Sequence, residues 1–162
     1  MNPHLQGIVG WYGHESQSSV RMISAIPDNK LNQKIHDKFR TAGELAMHLG
    51  DTVRDLTATF KTGAVVFTPV ITATPPKTAD AVKHYNDAMS EFMEASKNFT
   101  DAQLNKNYPF EMGGQVVWNP TGMELISGYI CHEIHHRAQI GVVLRLVGAK
   151  VPGMYGPTAD DM

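Results

Sequence analysis

The stretch from Trp118 to Gly148, WNPTGMELISGYICHEIHHRAQIGVVLRLVG, predicts the long helix around which the rest of the fold is arranged. Asn119 fits the N-cap, and Pro120 fits the first helical position, where a missing N–H costs nothing. Gly148 fits the left-handed residue that often follows a helix. Roughly 28 residues at ~1.5 Å each give about 40 Å of helix, a length typical of a helix bundle.

Two histidines lie on the face of this helix that the pattern directs toward the core. Steps of four and three residues select one stripe, which consists of Leu125, Tyr129, His132, His136, Gln139, Val143 and Leu146. His132 and His136 are four residues apart, so their side chains lie about 6 Å apart, close enough to bind one metal ion. The alternative is a pair of core histidines satisfied by hydrogen bonds. The spacing alone leaves both explanations open.

The segment from His132 to His136 also matches H-E-x-x-H, the zinc-peptidase motif in which the glutamate acts as general base. That match would make Glu133 the base. Such enzymes take a third ligand from downstream, but this chain has no histidine or carboxylate after His136 until Asp160 and Asp161. A zinc peptidase is therefore a minor alternative, and a third ligand is expected from upstream.

Composition indicates an ordinary globular chain and excludes several classes of partner. The 162 residues are 42% hydrophobic and 19% charged, which suits a single domain over residues 1–162. The net charge is -2 and no window gathers five basic residues, so we expect no nucleic-acid partner. The apolar runs are shorter than the ~18 residues that span a bilayer, so no membrane partner is expected. One cysteine and the absence of a signal-peptide pattern predict a cytoplasmic protein without an internal disulfide.

Two of the three helices predicted upstream contribute mainly to the core. The first spans residues 4–26, and its stripe consists of Ile8, Trp11, Glu15, Ser19, Met22 and Ile26. Glu15 on that stripe is either an acid that supports a pocket or a residue at the exposed end of the stripe. The other spans residues 78–99 and carries a bulky apolar face, which indicates core packing.

The remaining upstream helix, residues 41–60, supplies the third histidine. Thr41 and Glu44 have the spacing of a capping box, which marks its start. The hydrophobic pattern turns His48 toward the core among aliphatic neighbours. A bundle core commonly builds metal sites from facing helices, so His48 would complete a three-histidine site with His132 and His136.

Two long connections separate these helices. Residues 61–77 hold three prolines and a glycine around an apolar run, which predicts a loop. A loop of this length is either a lid over a binding site or a crossover held by its own hydrophobic residues. Residues 100–117 predict an irregular or hairpin-like segment.

Several motifs resemble the DinB/YfiT-like proteins. They are H-x-x-x-H followed by Arg-Ala-Gln over residues 132–139, Leu-Arg-Leu-Val-Gly over 144–148, and Val-Pro-Gly-Met-Tyr-Gly-Pro-Thr-Ala-Asp-Asp over 151–161. The resemblance covers the whole chain in layout and is most specific from His132 onward. Ala138 stands where the family usually has glycine.

The resemblance implies an all-α fold, a four-helix bundle with long crossover loops, commonly assembled as a homodimer. It also implies a divalent metal ion, Ni or Zn, on three histidines, which map to His48, His132 and His136. Family members with assigned activity include thiol S-transferases that use low-molecular-weight thiols as cosubstrates. Others are described as metal-dependent hydrolases or as damage-inducible, stress-response proteins.

We therefore predict a metal-dependent thiol S-transferase or hydrolase that acts on a small-molecule substrate. Candidate catalytic residues are Glu133, as a base, and Gln139, as a hydrogen-bond partner of a ligand or of the substrate. Arg137 is expected in an inter-helix or dimer contact, His135 near the site or on the surface, and Cys131 as a buried, inert thiol. The alternative of a different class is a non-enzymatic metal-binding or stress-response bundle.

Overall fold

The computed structural model describes residues 2–162, and over that range four long helices form a bundle, as predicted. The helices are α1 (Pro3–Ser24), α2 (Ala42–Thr62), α3 (Thr78–Ser96), α4 (Asp101–Asn105) and α5 (Gly122–Leu146), and the strands are β1 (Phe110–Met112) and β2 (Gln115–Trp118). The main contacts join α2 to α3 and α5, and α1 to the same two helices. Thus α1 and α2 occupy one diagonal of the bundle, and the core lies between the four.

The starts of α2 and α5 are both formed by capping boxes. The one at α2 was predicted, whereas the predicted start of α5 needs correction. At α2, Thr41 and Glu44 form the predicted capping box, in which the Thr41 amide donates to Glu44 Oε2 at 2.7 Å. At α5, the prediction that Asn119 is the N-cap was wrong, because the N-cap is Thr121, whose capping box with Glu124 satisfies two backbone donors. Gly148 follows α5 with φ of 75°, as predicted.

The buried face of α1 differs from the predicted stripe. Trp11 is 43% exposed, whereas the neighbouring Tyr12 is buried in the core. The reason is that α1 packs against both α3 and α5, so its buried face is broader than one stripe. Glu15 is buried, which excludes its placement at an exposed end.

The two long connections match their predicted character. Residues 63–77 contain no helix or strand, and residues 110–118 form an antiparallel hairpin. The prediction missed the short helix α4, which Thr100 and Gln103 cap in the same way as the longer helices. No helix in the described range is long and apolar enough to cross a membrane.

Candidate metal centre

Helices α2 and α5 bring the three predicted histidines together. One ring nitrogen from each of His48, His132 and His136 lies within 4.8 Å of the other two. The Nε2 atoms of His132 and His136 face each other at 3.0 Å. The His48 ring stands edge-on to both, with ring centroids at 5.1 Å and 4.7 Å.

The hydrogen bonds of these rings fit a shared cation. His136 Nδ1 lies 2.6 Å from Oε1 of Gln139. An amide oxygen only accepts, so Nδ1 carries the proton and the Nε2 lone pair points toward His132. His132 Nε2 lies 3.0 Å from His136 Nε2, a separation that fits either a proton on His132 Nε2 or a cation shared by the two rings. His132 Nδ1 is also buried without a hydrogen-bond partner in the described structure. The donor set therefore suits one divalent ion.

The environment keeps all three rings neutral at pH 7, which is the form that binds a metal. Burial lowers the pKa of His48 to about 4, helped by the charge of Arg40. Burial and the neighbouring histidines lower the pKa of His132 to about 3. Burial also lowers the pKa of His136 and outweighs the opposing hydrogen bond to Gln139.

The histidines stand where two cavities meet. The first, which we call the cationic cavity, has a volume of about 410 Å³. It is lined by Lys38, Phe39, Arg40, His48, Phe67, Thr68, Pro69, Ile71, His132, His136 and Gln139. The second, the apolar cavity, has a volume of about 270 Å³. It is lined by His48, Thr52, Asp55, Val65, Phe67, Phe110, Trp118, Leu125, Gly128, Tyr129 and His132. His48, Phe67 and His132 belong to both walls.

Comparison with known proteins identifies the family. A model of the DinB family matches residues 1–162. The chain belongs to the DinB family. It is 30% identical to the uncharacterized protein YrdA of Bacillus subtilis over 152 residues, which are 91% of this chain and 85% of that protein.

Solved structures of DinB-like proteins share the fold. One from Bacillus cereus superposes with a TM-score of 0.74 at 23% identity, covering 93% of this chain and 97% of that one. YjoA of Bacillus subtilis gives a TM-score of 0.71 at 19% identity, covering 91% and 97% of the two chains. YfiT of Bacillus subtilis, described as a probable metal-dependent hydrolase with an unusual four-helix bundle topology, gives 0.69 at 15% identity, covering 93% and 91%.

Glu133 of this DinB-family chain points into the core, so the geometry does not support the prediction that it acts as a base. It is 1% exposed, and its Oε1 accepts hydrogen bonds from Ser19 Oγ at 2.5 Å and from Tyr85 OH at 2.6 Å. Burial raises the pKa of this carboxyl group, and the hydrogen bonds oppose the rise only in part. Neither of the two cavities is lined by Glu133.

Arg137 makes the inter-helix contact that its position predicted. Its guanidinium is 2% exposed and donates to Glu15 Oε2 at 2.6 Å and to the Glu15 carbonyl at 2.9 Å. Tyr155, from the C-terminal tail, hydrogen-bonds to both residues. Glu15 therefore serves as the buried partner of Arg137 and ties α1 to α5 and to the tail.

The remaining predicted residues divide between the site and the surface. Gln139 lines the cationic cavity and hydrogen-bonds to His136, as its predicted role as partner of a ligand requires. His135 lies on the surface. Cys131 is exposed, so the prediction of a buried thiol was wrong; it lies on the face of α5 that points away from the bundle.

Trp118 and Gly128 form a wall of the apolar cavity that the sequence reasoning missed. A Cβ atom at Gly128 would meet the Trp118 ring at 2.7 Å, so glycine is what lets this ring lie against α5. The sequence feature that could have predicted this wall is Gly128, which lies one turn before His132 on the helix that carries the two ligands. A glycine inside a helix can indicate that another part of the chain approaches closely.

The loop over the site is fastened to α2 at three successive turns. Asp51 accepts hydrogen bonds from the amide and hydroxyl of Thr72 at 2.8 Å, and Asp55 accepts the same pair from Thr68 at 2.8 and 2.7 Å. Thr59 accepts one from the amide of Val66 at 2.9 Å. These polar bonds hold the loop in place, so it forms a fixed wall of the site.

Replacing Asp55 with alanine is expected to release the middle of this loop. The Thr68 amide would lose its acceptor, and a lost hydrogen bond to a charged group costs about 1.5–3 kcal/mol. Hydrogen exchange of residues 66–69 should accelerate roughly tenfold or more, in line with that cost. Asp87→Ala, at an exposed site on α3, should leave this exchange unchanged. Equal exchange in the Asp55 variant and the parent would contradict the assigned fastening.

Proposed function

We propose that His48, His132 and His136 hold one divalent ion and that the protein is a metal-dependent enzyme acting on small molecules. The observation that carries this proposal is the position of the histidine cluster at the meeting point of two cavities. A metal site that serves only structure is closed by four protein ligands, whereas a three-histidine site keeps a position for a reactant. Ni and Zn both suit imidazole ligands, so availability decides between them.

The reaction that we favour is conjugation of a thiol to an electrophilic carbon. An S–C bond forms while the carbon–halogen bond of a halide or a ring C–O bond of an epoxide breaks, the thiol proton passes to solvent, and the leaving halide or alkoxide departs or is protonated by water. When bound, the ion lowers the pKa of a coordinated thiol or water toward neutrality and so supplies a nucleophile. A thiol, with an ordinary pKa of about 8.5, needs no carboxylate base to ionise there. Within residues 2–162, the walls of the two cavities offer no free carboxylate: Glu133 is in the core, and both oxygens of Asp55 in the apolar cavity accept hydrogen bonds from Thr68.

The presence of two cavities also fits a reaction between two reactants better than a reaction of a single reactant. A thiol cosubstrate and an electrophile could occupy separate spaces and meet at the histidines. In this arrangement Gln139 holds the His136 ring through its 2.6 Å hydrogen bond, and Phe67 on the loop lines both cavities.

Hydrolysis is the second candidate, with water in place of the thiol. The fold similarity to YfiT, itself described as a probable metal-dependent hydrolase, is the observation that favours it. The peptidase alternative loses support, because the H-E-x-x-H mechanism needs the Glu133 carboxyl group beside the metal.

Metal analysis combined with a thiol-transfer assay tests the proposal. The protein as purified should contain about one divalent ion per chain and should accelerate conjugation of a low-molecular-weight thiol to monochlorobimane. A chelator should abolish the rate, and Ni or Zn should restore it. Retained metal without a metal-dependent rate for thiol transfer or ester hydrolysis would instead support the non-enzymatic metal-binding protein.

We further propose a cytoplasmic homodimer that uses the outward face of α5. This face carries Val142 and Leu146, which are 52% and 64% exposed, in line with Cys131 and Ala138. Apolar side chains along one exposed helix face are typical of a contact between subunits. A monomeric mass in sedimentation at micromolar concentration would contradict the dimer.

A further inference from the structure

The cationic cavity contains positive charge that no protein group neutralises. Lys38 and Arg40 line it, and within residues 2–162 neither side chain forms an ion pair or a hydrogen bond. No aspartate or glutamate lines this cavity. Arg40 is only partly exposed, so its guanidinium has lost some of its hydration without gaining a carboxylate in return.

This local charge contrasts with the protein as a whole, which carries a net charge of -2. Two basic side chains in a concave wall raise the local concentration of anions and orient them. Arginine also matches carboxylate and phosphate groups through paired N–H donors. Because His48, His132 and His136 line the same cavity, an anion held by Arg40 would have the rest of its length close to them.

The apolar cavity has the opposite character. Its wall is formed mainly by the rings of Phe67, Phe110, Trp118 and Tyr129. The one carboxylate in that wall, Asp55, is already occupied by Thr68. A cavity of about 270 Å³ with such a wall accepts a small uncharged group and offers a charged group no partner.

Phe67 borders both spaces and is 59% exposed. Its ring lines both cavities and lies edge-on to Phe110, with ring centroids 5.5 Å apart. The next residue, Thr68, is fastened to Asp55, so the backbone beneath this ring is held in place. This shared border therefore belongs to the loop that α2 holds in place.

We propose that the site sorts its two reactants by charge. An anionic small molecule, with a carboxylate or phosphate group at Lys38 and Arg40, occupies the cationic cavity. An uncharged apolar molecule occupies the apolar cavity, and Phe67 borders both spaces. This inference rests on the proposed two-reactant function, for which it names the classes of reactant.

Ligand-observed NMR titrations with matched probes test the sorting. The anionic probes are glutarate and glycerol 3-phosphate, with glutaramide as the uncharged analogue of the first, and 1-phenylethanol is the apolar probe. Each titration is made on the protein as purified and again after removal of metal by a chelator. The two anions show whether the subsite prefers carboxylate or phosphate.

We expect glutarate to bind about tenfold or more tightly than glutaramide, with or without metal, the ratio that one charge-assisted hydrogen bond supplies. Arg40→Gln should remove this preference and leave 1-phenylethanol binding unchanged, whereas Trp118→Ala should do the reverse. Lys150→Gln, which removes an exposed basic residue outside both cavities, should change neither. Saturating glutarate should not displace 1-phenylethanol.

Three results would overturn the inference. They are equal binding of glutarate and glutaramide by the metal-free protein, the same loss of glutarate binding in Lys150→Gln as in Arg40→Gln, and competition between the two kinds of probe. An unchanged unfolding midpoint for Arg40→Gln shows that the variant is folded. Because the titrations do not depend on turnover, an inactive protein that still sorts the probes would count against the proposed function and not against this inference.

Discussion

Replacing His132 with alanine is expected to reduce the metal content of the purified protein from about one ion per chain to less than a tenth of that. Loss of a neighbour that merely orients a ligand costs 10–100-fold in metal affinity, so loss of a ligand should cost at least ~100-fold. Thiol-transfer activity should fall in parallel. Elemental analysis by mass spectrometry after dialysis measures the effect.

His135→Ala is the matched control for this variant. His135 lies on the same helix next to His136, but it is exposed and outside both cavity walls. Its removal should leave metal content unchanged. Full metal content in His132→Ala would contradict the assigned site, whatever the activity. In chelator, His132→Ala should unfold at nearly the parental urea concentration, because the ring faces a cavity and its Nδ1 has no hydrogen bond to lose.

The histidine cluster was predictable because its geometry is mostly local. The distance between His132 and His136 is fixed by one helical turn, and the capping box at Thr41 sets the start of the helix that carries His48. The third ligand needed only the hydrophobic pattern of α2. The helical repeat, the capping box and the hydrophobic pattern therefore sufficed to predict the three histidines that the structure brings together.

The roles of Glu133 and Arg137 were harder to predict because α5 is apolar on more than one face. The predicted stripe faces the cavities from Leu125 to Gln139, but its last member, Leu146, is 64% exposed, so the prediction that it faces the core was wrong. A second stripe is the more deeply buried, and it consists of Ile126, Ile130, Glu133, Arg137, Ile140 and Leu144. Periodicity cannot choose between two stripes on one helix. The polar residues Glu15 and Ser19 on α1 held the missing information, since buried charges require partners of this kind.

The hydrogen bonds between α2 and the loop follow a spacing that is visible in the sequence but can be interpreted only with the structure. Asp51 and Asp55 are one turn apart on α2, and their partners Thr72 and Thr68 are also four residues apart. Equal spacing in two segments allows them to pair, but nothing in the sequence says which segments face each other. The tertiary fold determines which segments pair, and here it places the proline-rich loop as one wall of the site.

Arg137→Met is expected to destabilise the fold strongly, lowering the free energy of unfolding by about 3–5 kcal/mol at pH 7. Methionine fills much of the volume but leaves the Glu15 carboxylate buried without its cation. Burial would raise the pKa of Glu15, yet the hydrogen bonds from Tyr155 and Arg137 outweigh it and lower the pKa. A group whose pKa is lowered by folding contributes its stability above the unfolded pKa, so the contribution is fully present at pH 7 and is lost in acid.

Arg145→Met separates burial from the mere loss of an ion pair. Arg145 also bonds to a carboxylate, Asp160, at 2.8 Å, but its side chain is 51% exposed, so the loss should stay below about 1 kcal/mol. Urea unfolding of both variants, saturated with metal, gives the comparison. Because Arg137 lies on the core side of α5, away from the His132 face, its variant should keep its metal while folded. Similar losses in the two arginine variants would show that the buried pair of Glu15 and Arg137 does not stabilise the bundle as its geometry implies.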